Sequence, residues 1–314
     1  MKIVFFGSPE VSLIPLNNLI EDGHHIPLII TQPDRPRGRG RHLTPCPVKE
    51  FAVMNSIPVF QPNRIKTDDD ALNRIKEAKP DINIVAAYGQ IIPRPIIDLP
   101  HYKSLNIHFS LLPKYRGASP VQWALLEGEK VTGVTIFQLN EKMDEGDILS
   151  QEKTVIQSDE TAIELEKKLA FLGADLLVRT LRNIDNIPLS PQNHSLATHA
   201  PLIKKQDGEI DWSYEAIRIE RQIRAFTPWP STYTYLQNAR IKILKGNAIE
   251  KNCGKHDPGE ILSINRQGIE VSCGTDSLFR ILVLQPENKK PMDAHAYSLG
   301  ARLKTGMFFS KEAK

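Results

Sequence analysis

Cysteine is scarce in this chain: three residues in 314, at Cys46, Cys253 and Cys273, with no C-x-x-C spacing. Three thiols cannot all pair with one another, so a disulfide framework and a zinc knuckle are both excluded as organising devices, and a reducing, cytoplasmic setting is expected. Long apolar runs are missing too. None approaches the roughly 18 to 20 residues that span a bilayer, and the opening MKIVFFGSPE passes from one charge straight into a short strand-like run, so neither a membrane helix nor a targeting peptide is expected. After that first run the chain reads G-S-P-E-V-S where a dinucleotide-binding turn would read G-x-G-x-x-G, which removes the phosphate cradle of a nucleotide cofactor. There is no G-x-S-x-G elbow and no cysteine between residues 47 and 252, so a covalent acyl-enzyme has no evident nucleophile.

What remains is ample for a large core. A length of 314 residues with 40% hydrophobic content accommodates two domains. Over the first 140 residues, short apolar runs (KIVFFG at 2–7, HIPLIIT at 25–31, INIVAAYG at 82–89, SLNIHFS at 104–110, VTGVTIFQL at 131–139) alternate with helix-like segments. That alternation predicts an α/β fold whose mainly parallel, Rossmann-like sheet is covered on both faces. Ser8-Pro9 is read as a helix cap, and Thr67 followed by Asp68, Asp69 and Asp70 as a helix N-terminus that Lys79-Pro80 ends, so the acidic triplet is capping and not a metal site.

The pattern changes after a long amphipathic helix at 159–184. Residues 188–203 are proline-rich and polar without periodicity, and read as a linker. Residues 1–187 therefore form the expected catalytic domain. Residues 204–314 hold short strand-like runs between glycine turns, predicting a smaller, OB-like antiparallel β-barrel. Charge divides the same way: residues 1–190 carry 22 Lys+Arg against 24 Asp+Glu, and residues 191–314 carry 18 against 13. A basic second domain suits a polyanionic partner. Trp229, between two prolines, reads as a domain-packing anchor in preference to a residue that stacks on a base.

The chemistry concentrates in NIHFSLLPKYRGASP (106–120). Asn106 and His108, two apart in a strand, point to one side, at the end of a strand where parallel sheets hold their ligands. An amide donor and an imidazole aimed at one atom suit negative charge developing on a carbonyl oxygen during acyl transfer. Downstream, NEKMDEGDIL (140–149) supplies Asp144, a carboxylate that could return beside His108 and fix its tautomer. The ordinary alternative is a satisfied strand-end histidine. Arg116 reads either as an internal ion pair or as a substrate contact.

These two stretches resemble the central motif of the folate-dependent formyltransferases, whose shared elements are N-x-H, S-L-L-P and D-x-G-x-I. The resemblance implies Asn106, His108 and Asp144 as the catalytic residues, Ser110, Leu111, Leu112 and Pro113 as the folate-binding segment, 10-formyltetrahydrofolate as co-substrate without metal, and direct transfer through a tetrahedral intermediate. TQPDRPRGRGRHLTPCPVK (31–49) is similar to the basic insertion loop of the branch that formylates methionyl initiator tRNA for translation initiation. It implies Arg35, Arg37, Arg39, Arg41 and Lys49 as tRNA contacts, with Arg39 foremost. DGEIDWS (207–213) and IRAFTPWPSTYTYL (223–236) extend the likeness through the second domain, which implies that the basic barrel at 204–314 also contacts tRNA, and family likeness implies a monomer. The competing readings are a formyltransferase acting on an amino-sugar nucleotide, which would not need the basic stretch, and a non-catalytic RNA-binding protein, in which the Asn106, His108, Asp144 set would be idle.

Overall fold

The structure is a computed structural model that describes residues 1–37, 42–250 and 253–311. Arg39 and Arg41 lie outside the described residues. The chain divides into two compact units, one holding residues 1–120, 130–156 and 165–201, the other 121–129, 157–164 and 202–314.

The first unit follows from its apolar runs. Strand β1 (Lys2–Gly7) is succeeded by helix α1 (Leu13–Glu21), β2 (His25–Ile30), a hairpin of β3 (Arg35–Arg37) and β4 (His42–Thr44), α2 (Pro47–Met54), β5 (Val59–Phe60), α3 (Asp69–Ala78), β6 (Ile82–Ala86), α4 (Arg94–Ile97) and β7 (Ser104–His108). Helix α5 (Pro120–Glu127) clusters almost wholly with the second unit; β8 (Val131–Gln138), β9 (Ile148–Val155) and most of α6 (Ala162–Arg182) return to the first. The seven-stranded sheet runs β5-β2-β1-β6-β7-β8-β9, parallel from β5 to β7 and antiparallel through β8 and β9. Residues 3–7 and 82–86 are buried without interruption, as strands covered on both faces must be.

Two local readings hold and two change. Asp68 caps α3 by accepting the Ala71 N–H at 3.1 Å, and Lys79, left-handed at φ 47°, ends it before Pro80. Ser8 caps nothing: its hydroxyl accepts the Gln32 N–H at 2.9 Å, and the first turn after it is a 3-10 turn, Glu10–Ser12. The basic stretch is not one loop. Its arms pair as β3–β4, Arg37 opposite His42, and Pro47 then opens α2, which carries Lys49.

In the second unit, α7 (Ala216–Ala225) precedes β10 (Thr232–Leu236), β11 (Ala239–Ile249), β12 (Ile261–Asn265), β13 (Gly268–Ser272), β14 (Leu278–Pro286), β15 (Met292–Asp293) and α8 (Ala294–Gly300). The antiparallel order is β10-β11-β14-β13-β12, with β15 beside β14. The end of the chain closes this sheet into a barrel. Ser310 exchanges hydrogen bonds with Tyr235 at 2.9 and 3.0 Å on the β10 edge, while Met307 and Gly306 bond Ile261 at 2.8 and 2.9 Å on the β12 edge. Inside, Trp212 is 3% exposed, stacks on Phe309 at 5.8 Å and donates its indole N–H to the Thr234 hydroxyl at 3.0 Å. Trp229 corrects the sequence reading: it is 57% exposed, so it anchors no packing, and Trp212 does that work instead.

Phe309 is buried on a segment that also closes the barrel. Phe309→Ala should destabilise the second unit by about 3–5 kcal/mol, read as an earlier urea transition, because a cavity opens against Trp212.

Candidate active site

Strand β7 delivers Asn106 and His108 to the carboxyl end of the parallel part of the sheet. Asn106 lies opposite Val85 of β6 and Phe137 of β8, and His108 opposite Thr135. Their alternate spacing puts both on one face. The Asn106 amide is half-buried and makes no side-chain hydrogen bond among the described residues, which leaves its donors for a ligand. His108 is 6% exposed, set edge-on to the Phe137 ring. Its Nε2 lies 2.9 Å from the Tyr115 carbonyl, which can only accept, so Nε2 carries a proton. The other ring nitrogen, Nδ1, lies 3.8 Å from Asp144 Oδ2. The sequence-expected trio is brought together.

Two unusual turns hold it. Tyr115 and Asp144 both take left-handed backbone, at φ 59° and 55°. Such conformations persist where their surroundings over-determine them, and here the surroundings are hydrogen bonds. Asp144 Oδ2 accepts the Gly117 N–H at 2.8 Å, tying the 140–147 turn to the 115–117 turn. Gly117 sits at φ 125°, and a Cβ there would lie 2.5 Å from the Ala200 carbonyl oxygen, so only glycine fits. Gln192 donates to the carbonyls of Asp144 and Gly146 at 2.9 and 2.8 Å and accepts from Arg116 Nε and Nη2 at 3.1 and 2.7 Å. Arg116, 4% exposed, also pairs with Glu145 at 3.5 Å. It is an internal strut, which settles the choice left by its sequence context.

The Ser110–Pro113 segment is a braced turn. Ser110 is fully buried and donates its hydroxyl to the Lys114 carbonyl at 2.5 Å, so it contributes shape. Thr135 donates to the Ser110 carbonyl at 2.7 Å and accepts from the Leu112 N–H at 3.0 Å and Gln151 Nε2 at 2.8 Å, while Gln151 also donates to the Leu112 carbonyl at 2.8 Å. Leu112 is buried; Leu111 and Pro113 are half-buried and present apolar surface. The basic hairpin is anchored nearby in the same unit. Gln32 donates to the Tyr88 carbonyl at 3.0 Å, Arg35 donates to Gln32 at 3.0 Å, and Lys49 pairs with Asp34 at 2.6 Å. Hydrogen bonds from Lys49 and Gln61 hold the Asp34 carboxyl below its usual range. Lys49 thus steadies the base of the hairpin.

Sequence reasoning missed Tyr115, Thr135, Gln151 and Gln192. Tyr115 acts through a carbonyl, which carries no side-chain signal; Gln192 lies in the stretch read as a linker. That stretch does more than connect: Thr198 accepts the Tyr115 N–H at 2.8 Å, and Arg116 and Ala200 bond at 2.7 Å.

Comparison with known proteins agrees with the motifs. A family model described as formyl transferase matches residues 1–181, and one described as formyl transferase, C-terminal domain, matches 202–302. A methionyl-tRNA formyltransferase of Citrifermentans bemidjiense is 41% identical over 99% of this chain and 97% of its own length. One from a Sulfurihydrogenibium species is 42% identical over 98% and 100%. Among solved structures, WlaRD, a sugar 3N-formyl transferase, matches with a TM-score of 0.65 at 20% identity, covering 92% of this chain and 99% of that one. HypX from Aquifex aeolicus in complex with tetrahydrofolic acid matches with a TM-score of 0.63 at 18% identity; this chain spans about half of it, 48%. At these identities the two structures speak for the fold.

Thr135 is the hub under the 110–113 turn. Thr135→Val keeps its volume and strands the buried Leu112 N–H, so it should lower stability by about 1–3 kcal/mol in urea unfolding and weaken folate binding, measured by titration calorimetry.

Proposed function

Because this chain belongs to the formyl transferase family, we propose that it transfers the formyl group of 10-formyltetrahydrofolate to the α-amino group of methionyl initiator tRNA. The observation that carries the reading is the convergence of the free Asn106 amide, the His108 Nδ1 and the Asp144 carboxylate at one strand end, in a chain 41% identical over nearly its whole length to a methionyl-tRNA formyltransferase. The half-buried Leu111 and Pro113 fit the flat, apolar-faced ring of a folate, whose role is to present the formyl carbon.

The rest is work for the chain's own residues. An α-amine titrates near about 7.7 to 8.0 and an ester neighbour lowers that, so orientation and charge stabilisation matter more than a strong base. Asn106 donates to the formyl oxygen as negative charge develops there. His108, with Nε2 committed to Tyr115, offers Nδ1 to the same region, and Asp144 stands where it balances a protonated ring. Through a bridging water the same carboxylate takes the proton leaving the amine and returns it to N10 of the folate as the bond from N10 to the formyl carbon breaks, which releases tetrahydrofolate and restores the carboxylate. Arg35, Arg37, Arg39 and Arg41 offer phosphate contacts to the tRNA, and the protein acts as a cytoplasmic monomer. No helix among the described residues is long and apolar enough to cross a membrane.

Labelled formyl transfer to methionyl initiator tRNA, run beside methionyl elongator tRNA and an amino-sugar nucleotide, tests the reading; formylation of the sugar nucleotide alone would sink it. Asn106→Ala should lower kcat by about 10² to 10³ with KM for the folate little changed. Arg39→Ala should raise KM for methionyl-tRNA and flatten its salt dependence, with folate binding intact; an unaltered salt slope removes Arg39 from the RNA site.

A further inference from the structure

The segment that follows α6 touches both turns of the site, and its two ends do so by different means. Gln192, buried, holds the Asp144 turn with its side chain. Residues 198–200 instead run parallel to 115–117: the Arg116 N–H donates to the Thr198 carbonyl at 2.9 Å, and the Ala200 N–H donates to the Arg116 carbonyl at 2.7 Å. Thr198 makes two further bonds to the same turn. Its N–H donates to the Pro113 carbonyl at 3.3 Å, and its hydroxyl accepts the Tyr115 N–H at 2.8 Å. Thr198 is itself exposed, so these bonds, and not packing, are what it contributes.

We propose that Thr198 is a positioning residue for His108: acting through the backbone of Tyr115, it fixes which ring nitrogen carries the proton. The Tyr115 carbonyl and the Arg116 N–H are the two ends of one planar peptide group. His108 Nε2 meets the carbonyl end at 2.9 Å and the Thr198 carbonyl takes the N–H end, so the group is gripped from both sides. The preceding peptide group, between Lys114 and Tyr115, ends in the N–H that the Thr198 hydroxyl accepts. Tyr115 sits at φ 59°, where a residue other than glycine stays only if its surroundings hold it. Leaving that region turns one or other of these two peptide groups, and Thr198 holds an N–H of each. With both held, the Tyr115 carbonyl faces Nε2, Nε2 must donate, and in the neutral ring Nδ1, 3.8 Å from Asp144, keeps its lone pair. The run from the Thr198 carbonyl through the peptide to the imidazole is a chain of hydrogen bonds in which each polarises the next. The tautomer follows from this geometry alone; its consequence for turnover rests on the reading that His108 serves formyl transfer.

The test uses the full chain with isotope-labelled histidine. Ring-nitrogen chemical shifts report the tautomer, and the pair of signals missing from His108→Gln identifies His108 among the nine histidines. In wild type the neutral ring should carry its proton on Nε2. Thr198→Val removes the hydroxyl and keeps the shape; it should move the His108 shifts toward the other tautomer and lower kcat about 2- to 10-fold, the worth of one hydrogen bond, with folate affinity by titration calorimetry unchanged. Thr198→Ser, which restores the hydroxyl, should recover both the shifts and the rate. A wild-type ring protonated on Nδ1, unaltered His108 shifts in Thr198→Val, or a loss that Thr198→Ser does not recover overturns the proposal. Shifts that move in Thr198→Val and return in Thr198→Ser while turnover never changes would support Thr198 as the setter of the tautomer and overturn the part given to His108 in the transfer.

Discussion

The first unit's chemistry depends on one hydrogen bond, from the Gly117 N–H to Asp144 Oδ2 at 2.8 Å. Asp144 belongs to a turn between two antiparallel strands, His108 to the end of a parallel one, and nothing in either strand's register fixes the distance between them. The bond does so. It spends one carboxylate oxygen on the 115–117 turn, whose Tyr115 carbonyl in turn claims His108 Nε2. One backbone geometry therefore sets both the tautomer of the ring and the place of the carboxylate. A hydrogen bond from a neutral donor to a charged acceptor contributes about 1.5–3 kcal/mol, enough to hold a left-handed aspartate whose strain is about 1–3 kcal/mol.

That economy explains the polar struts around the site. Turns rich in carbonyls and N–H groups cannot be buried unless each group finds a partner. Gln192 supplies two donors and one acceptor at the point where the 140–147 turn, Arg116 and the late segment of the unit converge. Arg116 and Glu145 neutralise each other there, so the buried guanidinium has its charge compensated. The only polar group among these left with free donors is the Asn106 amide, and a preorganised donor without an internal partner is what a developing oxyanion needs.

How much of this could be read from residues alone divides along physical lines. Apolar runs bounded by glycine and proline announced β1, β2, β6, β7 and β8, because a strand buried on both faces must be continuously apolar. That Asp144 comes to lie 3.8 Å from His108 was expected from the motif the two stretches share with a known family, whereas residue type alone left His108 open as an ordinary strand-end histidine. Tyr115 and Gln192 were not legible: one acts through its backbone, and the other sits in a polar, aperiodic stretch indistinguishable by composition from a connector. Arg116 illustrates the same limit, since an arginine beside a catalytic motif looks identical whether it holds substrate or structure until its partners are seen.

Trp229 and Trp212 carry that argument furthest. Both are tryptophans in the second unit flanked by turn-forming residues, and composition treats them alike. Burial separates them: Trp212 can bury its ring because Thr234 accepts its N–H, whereas Trp229 stands outside at the mouth of β10. Aromatic side chains left in solvent lose hydrophobic stabilisation of about 1.5–3 kcal/mol relative to burial, so a fold that exposes one has given up stability at that point. The β10–β11 ladder shows the same choice, placing Tyr235, Arg240 and Lys242 on the outer face while isoleucines fill the inner one.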